Sequence, residues 1–348
     1  MSWPVREKIE EGVLSMLRVN MGLKEGERLL VVTDPPDLSL WQDKSPAELT
    51  SQLERSMLAR MVAEIAKESF PHSTVDFFPY PSVRMHGKEP GEALAEKLLQ
   101  AEVIVAITNY SLSHTRARAK ATEAGARIAS MPGFVARMFH PDGPMAVDYH
   151  QVGADTERLA ALITASESGV VHSPAGTDIR CSLAGRSGGV DSGLCSERAA
   201  WSNLPAGEAY VAPVEGTAEG VIVVQTGWYP HLTEEMVLHL EQGLVVRLEG
   251  GGKVGDEFRE LLQLEREEET YRARRNLAEL GIGTNPNARQ PDNVLEAEKI
   301  KGTVHLAIGD NSHMGGTVTS DLHEDFVIPE PDLLLDGNLV IEGGEWRI

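Results

Sequence analysis

The heptapeptide RLLVVTD, residues 28–34, is an unbroken run of apolar and β-branched residues ending on an acid, and it reads as a buried strand. The segment LTSQLERSMLARMVAEIAKESF (49–70) reads as a helix, with Leu53, Met57, Met61 and Ile65 as the stripe laid on a sheet. The alternation then repeats. TVDFFPY (74–80), VIVAITNY (103–110) and RIASMPG (127–133) read as strands, and GEALAEKLLQA (91–101) and SHTRARAKATEAG (113–125) as helices. Strands separated by helices of this length predict a mostly parallel sheet with helices on both faces. DTERLAALITASESG (155–169) would close the region as a helix ending near Gly169. No G-x-G-x-x-G and no P-loop follows a strand, so a nucleotide-phosphate cradle is not expected. Residues 1–168 therefore read as an α/β domain with a structural or oligomerising role, and a homo-oligomer is the expected assembly.

From residue 169 to 348 the texture changes to short apolar runs punctuated by glycine: VVHSPAGTDIRCSL (170–183), GVIVVQTG (220–227), GTVHLAIG (302–309). MVLHLEQGLVVRLEGG (236–251) and DLLLDGNLVIEGG (332–344) each set a turn dipeptide between two apolar runs, the hairpin signal. A β-rich α+β domain is predicted, interrupted by one long helix over 256–281 that stops at Gly281 and turns its EREEE run (265–269) to solvent.

Composition narrows the function classes. With 348 residues the chain is long enough for two cores. Its 32 basic and 53 acidic residues leave a net charge of −21, which argues against nucleic-acid binding. No apolar run approaches the roughly 20 residues a spanning helix needs, and MSWPVREKIEEG (1–12) lacks the order of a secretion signal, so no membrane association and a cytoplasmic location are expected. Two cysteines, Cys181 and Cys195, are too few for a disulfide framework and read as free thiols.

The chemistry sits in five polar residues embedded in apolar or glycine-rich sequence. In SDLHEDFVIPEP (320–331), His323 and Asp325 are two apart; on a strand they share a face, and Glu324 points away. His305, inside GTVHLAIG, is either a satisfied core histidine or a ligand. Glu279, in NLAELGIGTNPN (276–287), is an anion at the expected helix C-terminus, where the helix dipole disfavours it unless something positive is near. Glu208 follows a Pro-Ala-Gly turn where burial is expected. Together these residues would suffice for two divalent ions about 3.5 to 4 Å apart.

NLPAGEAYVAP (203–213), AELGIGTNPNA (278–288), GTVHLAIGDN (302–311) and SDLHEDFV (320–327) resemble, in order, the signature blocks of the metal-dependent aminopeptidase T family. The resemblance implies Glu208, Glu279, His305, His323 and Asp325 as ligands of a two-metal centre holding Zn, Co or Mn. It implies hydrolysis of an N-terminal peptide bond, or a related small amide, by metal-activated water, with Glu279 or else Glu215 carrying the proton. The family's tyrosine seven residues after the first ligand histidine is Ser312 here, with His313 beside it as the candidate replacement. The chain also resembles shorter relatives on the same scaffold, the 2,5-dihydroxypyridine dioxygenases, which imply one Fe(II) held by two histidines and an aspartate and a ring-cleaving reaction. Their pattern has histidine at Glu279 and lacks the acid and histidine at Glu208 and His305.

Overall fold

In the computed structural model, which describes residues 3–42 and 44–348, the opening heptapeptide forms the strand Arg28–Thr33, flanked by Thr74–Pro79 and Val103–Thr108. Arg127–Pro132 and Trp201–Asn203 extend the sheet to five strands, all parallel. The flanking strand Val103–Thr108 is buried on both faces, as a parallel sheet covered by helices requires. The helix Pro46–Ser69 begins on a capping box, Ser45 with Glu48, and carries Pro46 in its first turn. Its buried face is Arg55, Leu58, Ala59, Val62, Ala63, Ile65 and Ala66, whereas Met57 is 48% exposed. The expected stripe is corrected for a geometric reason: steps of four drift by roughly 40° each around a 3.6-residue helix, so alternating threes and fours hold one face.

Residues 3–42, 44–150 and 193–206 form one compact unit, and 151–192 with 207–348 form the second. The division thus differs from a single cut at 168. Trp201–Asn203 returns to complete the parallel sheet, and the helix Tyr149–Thr164 gives Leu159, Ala160 and Ile163 to the apolar cluster of the second unit. That helix ends at Thr164 rather than near Gly169, and Ser168–His172 is already a strand.

The second unit is built from two antiparallel sheets. An eight-stranded sheet contains both expected hairpins, Met236–Glu241 with Leu244–Gly250 and Asp332–Leu335 with Asn338–Glu342. A five-stranded sheet runs in the order His323–Ile328, Val304–Gly309, Leu277–Gly283, Glu208–Val211, Gly189–Asp191. Along these strands every second residue, Leu280, Ile282, Leu306, Ile308, Phe326 and Ile328, joins a buried cluster with Val171, Ile222 and Leu238 of the larger sheet. At about 1.5–3 kcal/mol per buried side chain, this one face holds the sheet in register. The period of two then sends the intervening residues to the opposite face.

The single helix expected over 256–281 is corrected to two helices and a strand: Gly252–Leu262, Glu269–Arg275 and Leu277–Gly283. Gln263 turns left-handed (φ 44°), and the acidic run beyond it is exposed, as expected. Arg275, itself buried, donates to the carbonyls of Leu264 and Arg266 and so fixes the connecting turn. No disulfide joins Cys181 and Cys195, and among the described residues no helix is long and apolar enough to cross a membrane.

Candidate metal centre

Register explains how five residues scattered over nearly 120 positions meet. The central strand Val304–Gly309 pairs His305 with Gly281, Ala307 with both Glu279 and Asp325, and Gly309 with His323. On the next strand out, Glu208 pairs with Gly283 on one side and Asp191 on the other. The face opposite the apolar cluster therefore carries His305, His323, Asp325, Glu279 and Glu208, separated only by glycine and alanine. Those small residues are required: a Cβ on Gly281 would lie 2.0 Å from His305 Nε2. Glu279 thus lies in the middle of a buried strand and not at a helix C-terminus, and the positive groups that face it are imidazoles rather than a helix end.

Glu279 bridges the two histidines. Its Oε1 lies 3.3 Å from His305 Nε2 and its Oε2 lies 3.1 Å from His323 Nε2. Glu208 Oε2 stands 3.4 Å from His305 Nε2, and Asp325 Oδ1 stands 3.7 Å from His323 Nε2. Neither of these buried oxygens makes a hydrogen bond. Three overlapping trios, Glu208–Glu279–His305, Glu279–His323–Asp325 and Glu298–His305–Asp325, each bring donor atoms within 4.8 Å of one another. Orphaned carboxylate oxygens converging with imidazole nitrogens make a set that a divalent cation fits.

The electrostatics agree. Burial works against the charged form of every group here. Yet the hydrogen bonds of His305 and His323 hold the Glu279 carboxyl well below its usual range, and the charge of His323 lowers Asp325. In return the carboxylates raise His305 to about 9 and His323 well above its ordinary value. Without a cation, protons on the imidazoles balance the acids, and a metal would release them. Burial pushes Glu208 up as well.

A second ring of groups sets the orientation. His323 Nδ1 donates to the Asp310 carbonyl at 2.7 Å, which leaves Nε2 as the ligating nitrogen. His313, the candidate replacement for the family tyrosine, is tied through Nδ1 to Asp310 Oδ1 at 2.9 Å, with its ring 5.4 Å from that of His323. Ser312 turns its hydroxyl onto the same Asp310 carboxylate. Glu324 points to the other side, as its strand position demands, and accepts from the Tyr229 hydroxyl at 2.7 Å. Glu215 is committed elsewhere: it accepts from Asn311 Nδ2 at 2.9 Å and Thr317 N at 2.7 Å and pairs with Arg186.

Sequence reasoning missed four residues. Lys299 is fully buried, with Nζ 2.6 Å from Glu208 Oε1 and 2.9 Å from Glu298 Oε1. Asp191 Oδ2 lies 3.8 Å from the same nitrogen. Tyr210, two residues beyond Glu208 on the same face, is raised to about 12 by burial and by the acids around it. The available signal was the AEK run (297–299) a few residues before His305, where a buried charged pair in an apolar setting needs a partner.

The family model for 2,5-dihydroxypyridine 5,6-dioxygenase, NicX, matches residues 24–347. A 2,5-dihydroxypyridine 5,6-dioxygenase from Pseudomonas putida is 24% identical over 272 residues, covering 73% of this chain and 74% of the relative. The solved structure of 2,5-dihydroxypyridine dioxygenase from Pseudomonas putida superposes with a TM-score of 0.68 at 19% identity, over 97% of this chain and 95% of that one. AmpT from Thermus thermophilus superposes with a TM-score of 0.66 at 16% identity, over 99% and 100%. The fold is thus the one the two resemblances share. The expectation of a hydrolase, an aminopeptidase acting on a peptide or small amide, is overturned by the family match and the dioxygenase relative, and the likeness to AmpT stands for the fold alone. The physical reason is that one fold can host different reactions, so blocks of candidate ligands mark a centre and leave its chemistry open.

Proposed function

The chain belongs to the 2,5-dihydroxypyridine 5,6-dioxygenase family, and from that membership we propose that it is a ring-cleaving dioxygenase acting on a hydroxylated pyridine with one Fe(II) per site. Membership across residues 24–347 is the observation that carries the reading. The donor chemistry supports it. Glu279, His323 and Asp325 supply two carboxylates and an imidazole on one sheet face, a carboxylate-rich relative of the facial arrangement of non-haem iron enzymes. Fe(II) held by these side chains supplies the one-electron chemistry through which dioxygen reacts with a closed-shell aromatic ring.

The chain's own residues do the rest. The Asp310 carbonyl fixes the His323 ring, and Glu279, with both oxygens engaged by imidazoles, acts as a ligand instead of the mobile proton carrier expected from sequence. His313, held through Nδ1 by Asp310 with its ring 5.4 Å from that of His323, stands beside the centre as a polar group for a substrate hydroxyl. Tyr210 stays a protonated phenol at neutral pH and offers a donor to a substrate oxygen.

Anaerobic loading with Fe(II) followed by oxygen electrode measurements on 2,5-dihydroxypyridine tests the proposal. One O2 is expected per ring opened, and Glu279→Ala and His323→Ala are each expected to lower kcat/KM by at least about 100-fold. Absence of oxygen uptake by the Fe(II)-loaded wild-type chain on 2,5-dihydroxypyridine and its mono- and dihydroxylated isomers overturns it.

A further inference from the structure

We propose that the buried ammonium of Lys299 occupies the place of a second cation in this centre, so that a donor set large enough for two ions binds one. The inference rests on the metal-dependent reading above and names the device that sets its ion count.

The three trios of donors differ in what faces them. Lys299 pairs with Glu208 at 2.6 Å and with Glu298 at 2.9 Å, and so takes one acid from the first trio and one from the third. The remaining trio, Glu279–His323–Asp325, contains none of its partners. From Lys299 a continuous row runs through Glu208 to His305 Nε2 at 3.4 Å and on to Glu279 Oε1 at 3.3 Å. Along this row His305 serves as a donor that aims Glu279, in the way an outer carboxylate–histidine pair orients a metal ligand. The other Glu279 oxygen then faces His323.

Geometry fixes the lysine in that place. Lys299 is 0% exposed, and its Nζ also has Asp191 Oδ2 within 3.8 Å. Asp191 is the register partner of Glu208 on the edge strand, so the sheet itself delivers two acids to the ammonium. A divalent ion at Glu208–Glu279–His305 would have to share Glu208 with a cation already in contact with its other oxygen, and the two positive charges would repel across one carboxylate. At Glu279–His323–Asp325 no lysine or arginine pairs with either carboxylate among the described residues, the only facing cations are imidazoles that a metal deprotonates, and Asp325 Oδ1 has no hydrogen bond to lose.

Mn(II) titration of the full chain, read by metal analysis after desalting and by electron paramagnetic resonance, decides it. Wild type is expected to bind one Mn(II) per chain with the six-line signal of an isolated ion. Lys299→Met is expected to bind two, with the broadened signal of an exchange-coupled pair. Because a buried charge change can compromise folding, the charge-matched double variant Lys299→Met/Glu298→Gln is measured beside it, and it too is expected to take two. Two ions in the wild type, or one ion in both folded variants, overturns the inference. Neither result depends on oxygen uptake, so ring cleavage can fail while the ion count stands, and the reverse.

Discussion

Asp34 closes the strand Arg28–Thr33 at the C-terminal edge of the parallel sheet, where it is fully buried. It accepts from the backbone nitrogens of Asn109 and Tyr110, and Arg55 lies close enough to favour its anion. Burial nonetheless dominates and pushes its carboxyl from 3.8 up to about 6. The sign follows directly: between those two values the folded state binds more protons than the unfolded one, so stability falls as pH rises through the window and the loss is complete above it. The cost is about 3 kcal/mol at neutral pH. Asp34→Asn removes this titration, so its stability relative to wild type should improve by about that amount between pH 4 and pH 7.5. Urea unfolding midpoints at both pH values measure it, and parallel curves for the two proteins would contradict the argument. No sequence pattern announced the state of Asp34, because the backbone donors that hold it lie 75 and 76 positions away.

At the scale of elements, the strand Leu277–Gly283 carries the site, and its glycine is a spatial requirement. Gly281 faces His305 across the pairing, and a methyl group there would meet the imidazole at 2.0 Å. Since His305 is 1% exposed, the ring must leave its contact with Glu279. Gly281→Ala is therefore expected to cost about 1–3 kcal/mol of stability through overpacking and about 10- to 100-fold in metal affinity. In the His305→Ala background the affinity loss should vanish, which calorimetric metal titration of the double variant reads; equal losses in both backgrounds would mean the glycine acts elsewhere. The same strand marks where the sequence stopped being legible. His323 and Asp325 were readable because period-two alternation is a local property. Glu279 was read on a helix because NLAEL following an Arg-rich helix continues its apolar spacing, and only the neighbouring strands Glu208–Val211 and Val304–Gly309 supply the hydrogen bonds that make 277–283 extended. Lys299 was missed for a related reason: its partners Glu208 and Asp191 lie about 90 to 110 positions earlier and meet it through sheet register.

For the molecule as a whole, the alternating helices and strands of the first half and the hairpins of the second specified the architecture, but not the excursion of 193–206 back to the parallel sheet. Three residues of strand give little periodicity, and their place is decided by the open edge of Arg127–Pro132. The unit assignments carry a thermodynamic consequence. Every donor around the centre, with Lys299, Glu298, Asp191 and Asp310, belongs to the unit formed by 151–192 and 207–348. A ligand that binds only the folded state stabilises whatever must unfold to release it, by about 2.7 kcal/mol at one hundred times its dissociation constant. Saturating Mn(II) should therefore slow amide exchange most in Leu277–Gly283, Val304–Gly309 and His323–Ile328, strands whose separation destroys the donor set. The parallel strands Arg28–Thr33 and Val103–Thr108 hold no donor, so their exchange should stay at its metal-free rate unless they open only with the other unit. Hydrogen exchange read by mass spectrometry separates the cases: slowing confined to the three site strands places the binding energy in that sheet, whereas equal slowing at residues 28–33 and 103–108 would require one cooperative unfolding unit for the whole chain.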